Sequence, residues 1–134
     1  MQKLGNYSRN LAVLSQANQQ DLDNEFVIGG IIDKFCIQFE LGWKLFKEIL
    51  RYEGITVSAS GSPREIIKGM YQVADYINCE MWLKMLKDRN SMAHIYDGEK
   101  ARKLVNVIIE EYIPEFKKVE SVLSEKFNSF EVIM

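Results

Sequence analysis

Histidine occurs once in the 134 residues, as His94, and cysteine only twice, as Cys36 and Cys79. Two lone cysteines and one histidine offer no zinc-ligand spacing, so no metal is expected. A disulfide is not expected in a reducing compartment either. Proline is confined to Pro63 and Pro114, and no low-complexity tract or linker divides the chain. One domain spanning 1–134 is the expectation. No run approaches the roughly 18 uninterrupted apolar residues of a membrane-crossing helix. Met1 to Asn6 lacks the apolar core of a signal peptide, so a cytoplasmic location with no membrane contact follows by default. A net charge of −2 argues against a basic nucleic-acid binder taken as a whole.

What the chain does have is helical periodicity. Apolar residues make up 47% and charged residues 27%, enough of each for a folded core with a solvated surface. Leu4, Tyr7, Leu11 and Leu14 recur at spacings of three and four, predicting a first helix over 3–19. A broader stripe from Ile28 through Phe35, Phe39, Trp43 and Phe46 to Leu50 predicts a second helix over 25–53, stopped by Gly54. Cys36 lies within that stripe as a small core residue. Gly42, one turn from Phe39 and Phe46, lowers helix propensity by about 1 kcal/mol, which suggests close approach of another helix. Ser62-Pro63-Arg64-Glu65 has the cap, first-turn proline and acidic partner of a helix start. Ile66, Ile67, Met70 and Tyr71 should form that short helix's buried face. Asn78 can cap a fourth helix carrying Trp82, Met85, Leu86 and Ala93. Asp97-Gly98 marks a turn into a last helix over 99–127, lined inside by Leu104, Ile108, Tyr112, Phe116, Val119 and Leu123. Pro114 should kink it. Strand alternation is absent. The fold class is therefore all-α, an antiparallel bundle of about five helices.

The chemically loaded segment is Arg89-Asn90-Ser91-Met92-Ala93-His94-Ile95-Tyr96. Taken singly, an arginine here is ordinarily a solvated charge, a histidine near a helix C-terminus suits the dipole, and a tyrosine packs. The surroundings set the group apart. Residues 84 to 103 hold six basic side chains against Asp88, Asp97 and Glu99, a balance of +3; the chain total of −2 leaves −5 for the rest. A basic site on an acidic body can steer a phosphate-bearing ligand. Histidine supplies a proton donor or acceptor near neutral pH, and a fixed guanidinium can stabilise charge on phosphoryl oxygens. On a straight helix Asn90 and His94 share a face, whereas Arg89 points about 140° away from His94. One copy of the segment would then not close a site.

The spacing of Arg89, His94 and Tyr96 resembles the signature of HEPN-domain ribonuclease toxins. More narrowly, the chain resembles the nucleotidyltransferase substrate-binding proteins, HEPN partners of minimal nucleotidyltransferases. The similarity runs through Phe35, Phe39-Glu40-Leu41, Trp43-Lys44, Ser62-Pro63-Arg64-Glu65, Trp82-Leu83, Asp88-Arg89-Asn90 and His94-Ile95-Tyr96. Cys36 stands where an acidic residue would be expected. The resemblance implies a HEPN-like bundle forming a homodimer, with two motifs meeting in one cleft. It implies metal-independent RNA cleavage with no cofactor, Arg89 and His94 being catalytic and Asn90 supporting them. It further implies the toxin role of a type II toxin–antitoxin pair, its antitoxin being a minimal nucleotidyltransferase (MNT) that adds AMP to Tyr96. The alternative is a non-catalytic substrate- or nucleotide-binding subunit of a two-component nucleotidyltransferase; a helical scaffold without a ligand is the third option. There is no Gly-rich phosphate loop, and no paired acids of a nucleotidyltransferase active site are evident, Glu110-Glu111 reading as surface charge.

Overall fold

The computed structural model describes residues 2–56, 61–91 and 97–133, with side chains as far as Phe127. All regular elements among them are helical: α1 (Gln2–Leu14), α2 (Glu25–Tyr52), α3 (Pro63–Val73), α4 (Cys79–Asn90), α5 (Gly98–Val107) and α6 (Ile113–Ile133). A π turn, Ile108–Tyr112, joins α5 to α6 without a break, so the chain makes five helical rods, as the periodicity predicts. No helix among the described residues is long and apolar enough to cross a membrane.

The helix ends follow their sequence signals. The Asn24 side chain accepts from the backbone N–H of Phe26 and Val27 at the start of α2. Ser62 and Asn78 do the same for Glu65 and Met81 at the starts of α3 and α4. Gly54 ends α2 with φ +73, a conformation that favours glycine. There the N–H of Ile55 reaches Leu50 O and that of Gly54 reaches Arg51 O, which together satisfy two of the helix's last carbonyls.

Two expectations need correction. The first helix stops at Leu14, and Ala17–Gln19 forms a separate 3₁₀ turn that buries Ala17. Tyr71 is half-exposed while Ile66, Ile67 and Met70 are buried. At about 100° per residue those three occupy one narrow arc, and Tyr71 falls roughly 90° from its centre. At Pro114 the helix accommodates the ring through a π turn just upstream. Proline lacks an N–H, and its ring opposes the carbonyl four residues back. The ladder widens before it, the Ile113 N–H bonding to Ile108 O, five residues away. The same turn explains the spacing of Leu104, Ile108, Tyr112 and Phe116. Steps of four drift by about 40° each on an α-helix, and a π turn takes up the excess. Ala93, expected on the fourth helix, lies outside the described residues.

α2 is the central rod, packed against α1, α3, α4 and α5. Trp82 of α4 is fully buried and meets the rings of Phe39, Phe46 and Phe116 at centroid separations of 5.9, 4.7 and 5.4 Å. Its indole lies directly on Gly42, where an added Cβ would come within 2.6 Å of Trp82 Cη2. The close approach expected at Gly42 is therefore that of α4. Gln38 is buried within the α1–α2 contact. It donates to Tyr7 O at 3.1 Å and accepts from Asn10 at 2.8 Å, while the Tyr7 hydroxyl donates to Phe116 O at 2.8 Å. Buried polar atoms with partners fix register as well as satisfying themselves. Cys36 and Cys79 are free thiols, each half-buried beside the core.

Candidate functional site

α4 ends at Asn90, and Ser91 leaves the helix with φ −93 and ψ 70. The helix does not continue through Ser91, so no helical geometry is carried past it. Arg89 and Asn90 are brought together on the last turn, the Arg89 Nη1 donating to Asn90 Oδ1 at 2.8 Å. His94 and Tyr96 lie outside the described residues.

Arg89 is not a freely solvated charge. Its side chain is 30% exposed and ion-paired through Nη2 with Glu40 Oε1 of α2. The guanidinium carbon stands 5.8 Å from the centroid of the Phe39 ring, a cation–π distance. A guanidinium carries five N–H donors, so the bond to Asn90 and the ion pair with Glu40 hold it in place and leave donors for a ligand. The neighbouring residue is tethered too. The Tyr112 hydroxyl, from the π turn, donates to Asp88 Oδ2. Burial, then that bond to Asp88, raises the Tyr112 pKa far above the ordinary phenol range, so the hydroxyl keeps its proton and remains a donor. The last turn of α4 is thus gripped from α2 through Arg89 and from the α5–α6 junction through Asp88. Lys84, one turn earlier, adds an ion pair to Glu111 at 3.2 Å, which gives one of the two acids read as surface charge a defined partner.

Sequence spacing assigns Glu40 no role. Its signal is an acid between two apolar residues, Phe39 and Leu41, next to the helix's buried stripe. Cys36 lies one turn before Glu40 and feels the same arginine. Burial raises the Cys36 thiol pKa, Asp33 adds to that, and the Arg89 charge opposes it. An acid at position 36 would be a second counter-charge for Arg89; with cysteine there, the contact falls to Glu40. Tyr112 likewise reads as core from its spacing, and nothing in the spacing announces a hydroxyl aimed at Asp88. On the other side of α4, Asn90 and Ser91 line an open groove with Arg64, Leu83, Leu86 and Lys87.

A family model described as "Nucleotidyltransferase substrate binding protein like" matches residues 2–125. No curated protein matches the chain. With nearly its whole length matched, including every helix that builds the Arg89 site, the chain belongs to the nucleotidyltransferase substrate-binding-protein-like family.

Proposed function

We propose that this chain is the toxin of a type II toxin–antitoxin pair: a metal-independent endoribonuclease of the HEPN class, cytoplasmic, inhibited by a minimal nucleotidyltransferase that modifies Tyr96. The observation that carries the reading is the fixed guanidinium of Arg89, held by Glu40 and Asn90 with donors to spare. An arginine kept for solubility needs no such holding. One placed to meet developing charge on a phosphoryl group does, because preorganised donors need no reorganisation during reaction.

In this reading the 2′-hydroxyl of the RNA attacks the adjacent phosphorus and the 5′-oxygen leaves. The products are a cyclic phosphate end and a 5′-hydroxyl end. His94 handles the proton at one of these oxygens, and Arg89 neutralises the phosphoryl oxygens. Control comes from Tyr96, whose hydroxyl oxygen attacks the α-phosphorus of ATP in the partner's active site. Pyrophosphate leaves, the hydroxyl proton passes to solvent, and the attached AMP brings negative charge and bulk to the RNA site. The test is expression with and without the partner. The chain alone should slow growth; co-expression should restore it, with mass spectrometry locating AMP on Tyr96. Harmless expression, or an adduct only at other residues, would sink this reading.

The active form in this reading is a homodimer, two copies of the Arg89–Tyr96 segment lining one cleft. Light scattering at tens of micromolar should give about twice the chain mass of 15.6 kDa. A monomer at that concentration would count against a shared cleft.

One observation favours a second reading. Glu40 already neutralises Arg89, as suits a structural rather than catalytic arginine. In that case the chain is a non-catalytic subunit presenting substrate or nucleotide to a separate nucleotidyltransferase, in keeping with the family description.

A further inference from the structure

The groove between α3 and α4 has a volume of about 460 Å³ and is lined by Arg64, Leu83, Leu86, Lys87, Asn90 and Ser91. That volume falls in the roughly 300–1,000 Å³ range of small-ligand clefts. Both of its charged residues are cations. Among the described residues neither is in an ion pair with a carboxylate, whereas Lys84, Arg89 and Arg102 each have one. Lys87 sits in the last turn of α4, where a cation suits the helix dipole. Arg64 does not share that explanation. It belongs to the first turn of α3, the positive end of the helix, where a cation is disfavoured. An anion held between Arg64 and Lys87 would relieve that placement.

The groove is also joined to the Arg89 site. Leu83, Lys87 and Asn90 recur at spacings of four and three, so they share one face of α4. Asn90 lines the groove while its Oδ1 accepts from Arg89 Nη1 at 2.8 Å. The two sites therefore lie on either side of a single side chain. Leu83 and Leu86 add apolar surface beside the cations, the combination that a sugar–base unit next to a phosphate requires.

We propose that this groove is an RNA subsite. Arg64 and Lys87 hold a backbone phosphate of the strand next to the phosphate at Arg89, and Leu83 and Leu86 take the intervening nucleoside. The proposal rests on the ribonuclease reading for what the neighbouring site does, but its test does not require cleavage. Binding of a short, fluorescently labelled single-stranded RNA of mixed sequence would be followed by anisotropy in the non-cleaving His94→Ala protein. Each phosphate contact to a single strand contributes a salt slope of about −0.7, or roughly fivefold in affinity at 0.1 M salt. The added double substitution Arg64→Gln/Lys87→Gln should weaken binding roughly 25-fold there and flatten the slope by about 1.4. Arg51→Gln/Lys117→Gln, an equal charge change at exposed positions outside the groove, should leave the slope nearly unchanged. Circular dichroism would establish that both variants fold.

Equal binding and slope in the groove variant and its parent would overturn the proposal, as would equal losses in the two double variants. Retained RNA affinity with lost binding of the partner protein would also overturn it, making the groove a protein contact. A wild-type protein that leaves RNA intact defeats the ribonuclease reading, yet a flattened slope would still uphold the subsite. Cleavage with an unchanged slope would do the reverse.

Discussion

His94→Ala and Arg89→Ala should each remove most RNA cleavage, a loss between about 10²- and 10⁴-fold for the acid–base group. The losses should appear with the helices still formed. Arg89 is 30% exposed on its side chain, and its partners Glu40 and Asn90 both reach solvent. Arg89→Lys should rescue little, because an ammonium cannot bond Glu40, Asn90 and a phosphoryl oxygen from one fixed plane. Wild-type cleavage should continue in EDTA and leave cyclic phosphate ends, since the nucleophile in this mechanism belongs to the RNA. If His94→Ala cleaves as well as wild type, the activity belongs to a contaminant and the binding-subunit reading takes over. If Arg89→Ala alone retains full activity, the clamp on its guanidinium is structural.

The rods of this fold were legible because they are written in repeated local signals. The stripe from Ile28 to Leu50, the caps at Ser62 and Asn78 and the stop at Gly54 each depend on a few neighbouring residues, and each holds. Gly42 was informative for another reason: a residue unfavourable in mid-helix needs a tertiary explanation, and Trp82 supplies it. Edges were less legible. Tyr71 sits at the margin of a three-residue stripe, where a small rotation decides burial. The π turn was hidden because Pro114 announces a disturbance without saying what form it takes. At the site, sequence spacing singled out Arg89 and Asn90 but could not find what orients them. Glu40 lies 49 positions from Arg89, and Tyr112 lies 24 from Asp88. Such pairs are created by packing α4 on α2 and on the π turn, and no local pattern records them.

Glu115 is the strongest case of a residue with no local signal, and Glu115→Ala should have the largest effect on stability. It is a carboxylate with its side chain 5% exposed, on the first turn of α6. Its Oε2 accepts from the Trp82 indole N–H at 3.1 Å and from the Asn78 backbone N–H at 3.1 Å. Its Oε1 pairs with Lys118 at 2.8 Å. One side chain thus joins the start of α4 to α6 and satisfies the polar atom of the largest buried residue. Alanine would leave the indole N–H in the core with no acceptor, and the Asn78 N–H beside it. Each unsatisfied donor costs about 1–3 kcal/mol, so the loss for the two should total about 2–6 kcal/mol. For a chain of this size that lowers the melting temperature by roughly 7–20 °C. In urea the midpoint should fall with an unchanged slope, since the surface exposed on unfolding is the same. Glu115→Gln keeps a carbonyl acceptor of the same shape and loses only the charge, so it should recover about half of the stability. Trp82→Phe in the Glu115→Ala background removes the orphaned indole donor, so the two changes together should be less destabilising than their sum. Additive losses, or a Glu115→Ala effect below about 1 kcal/mol, would mean that water reaches the indole and the carboxylate is dispensable.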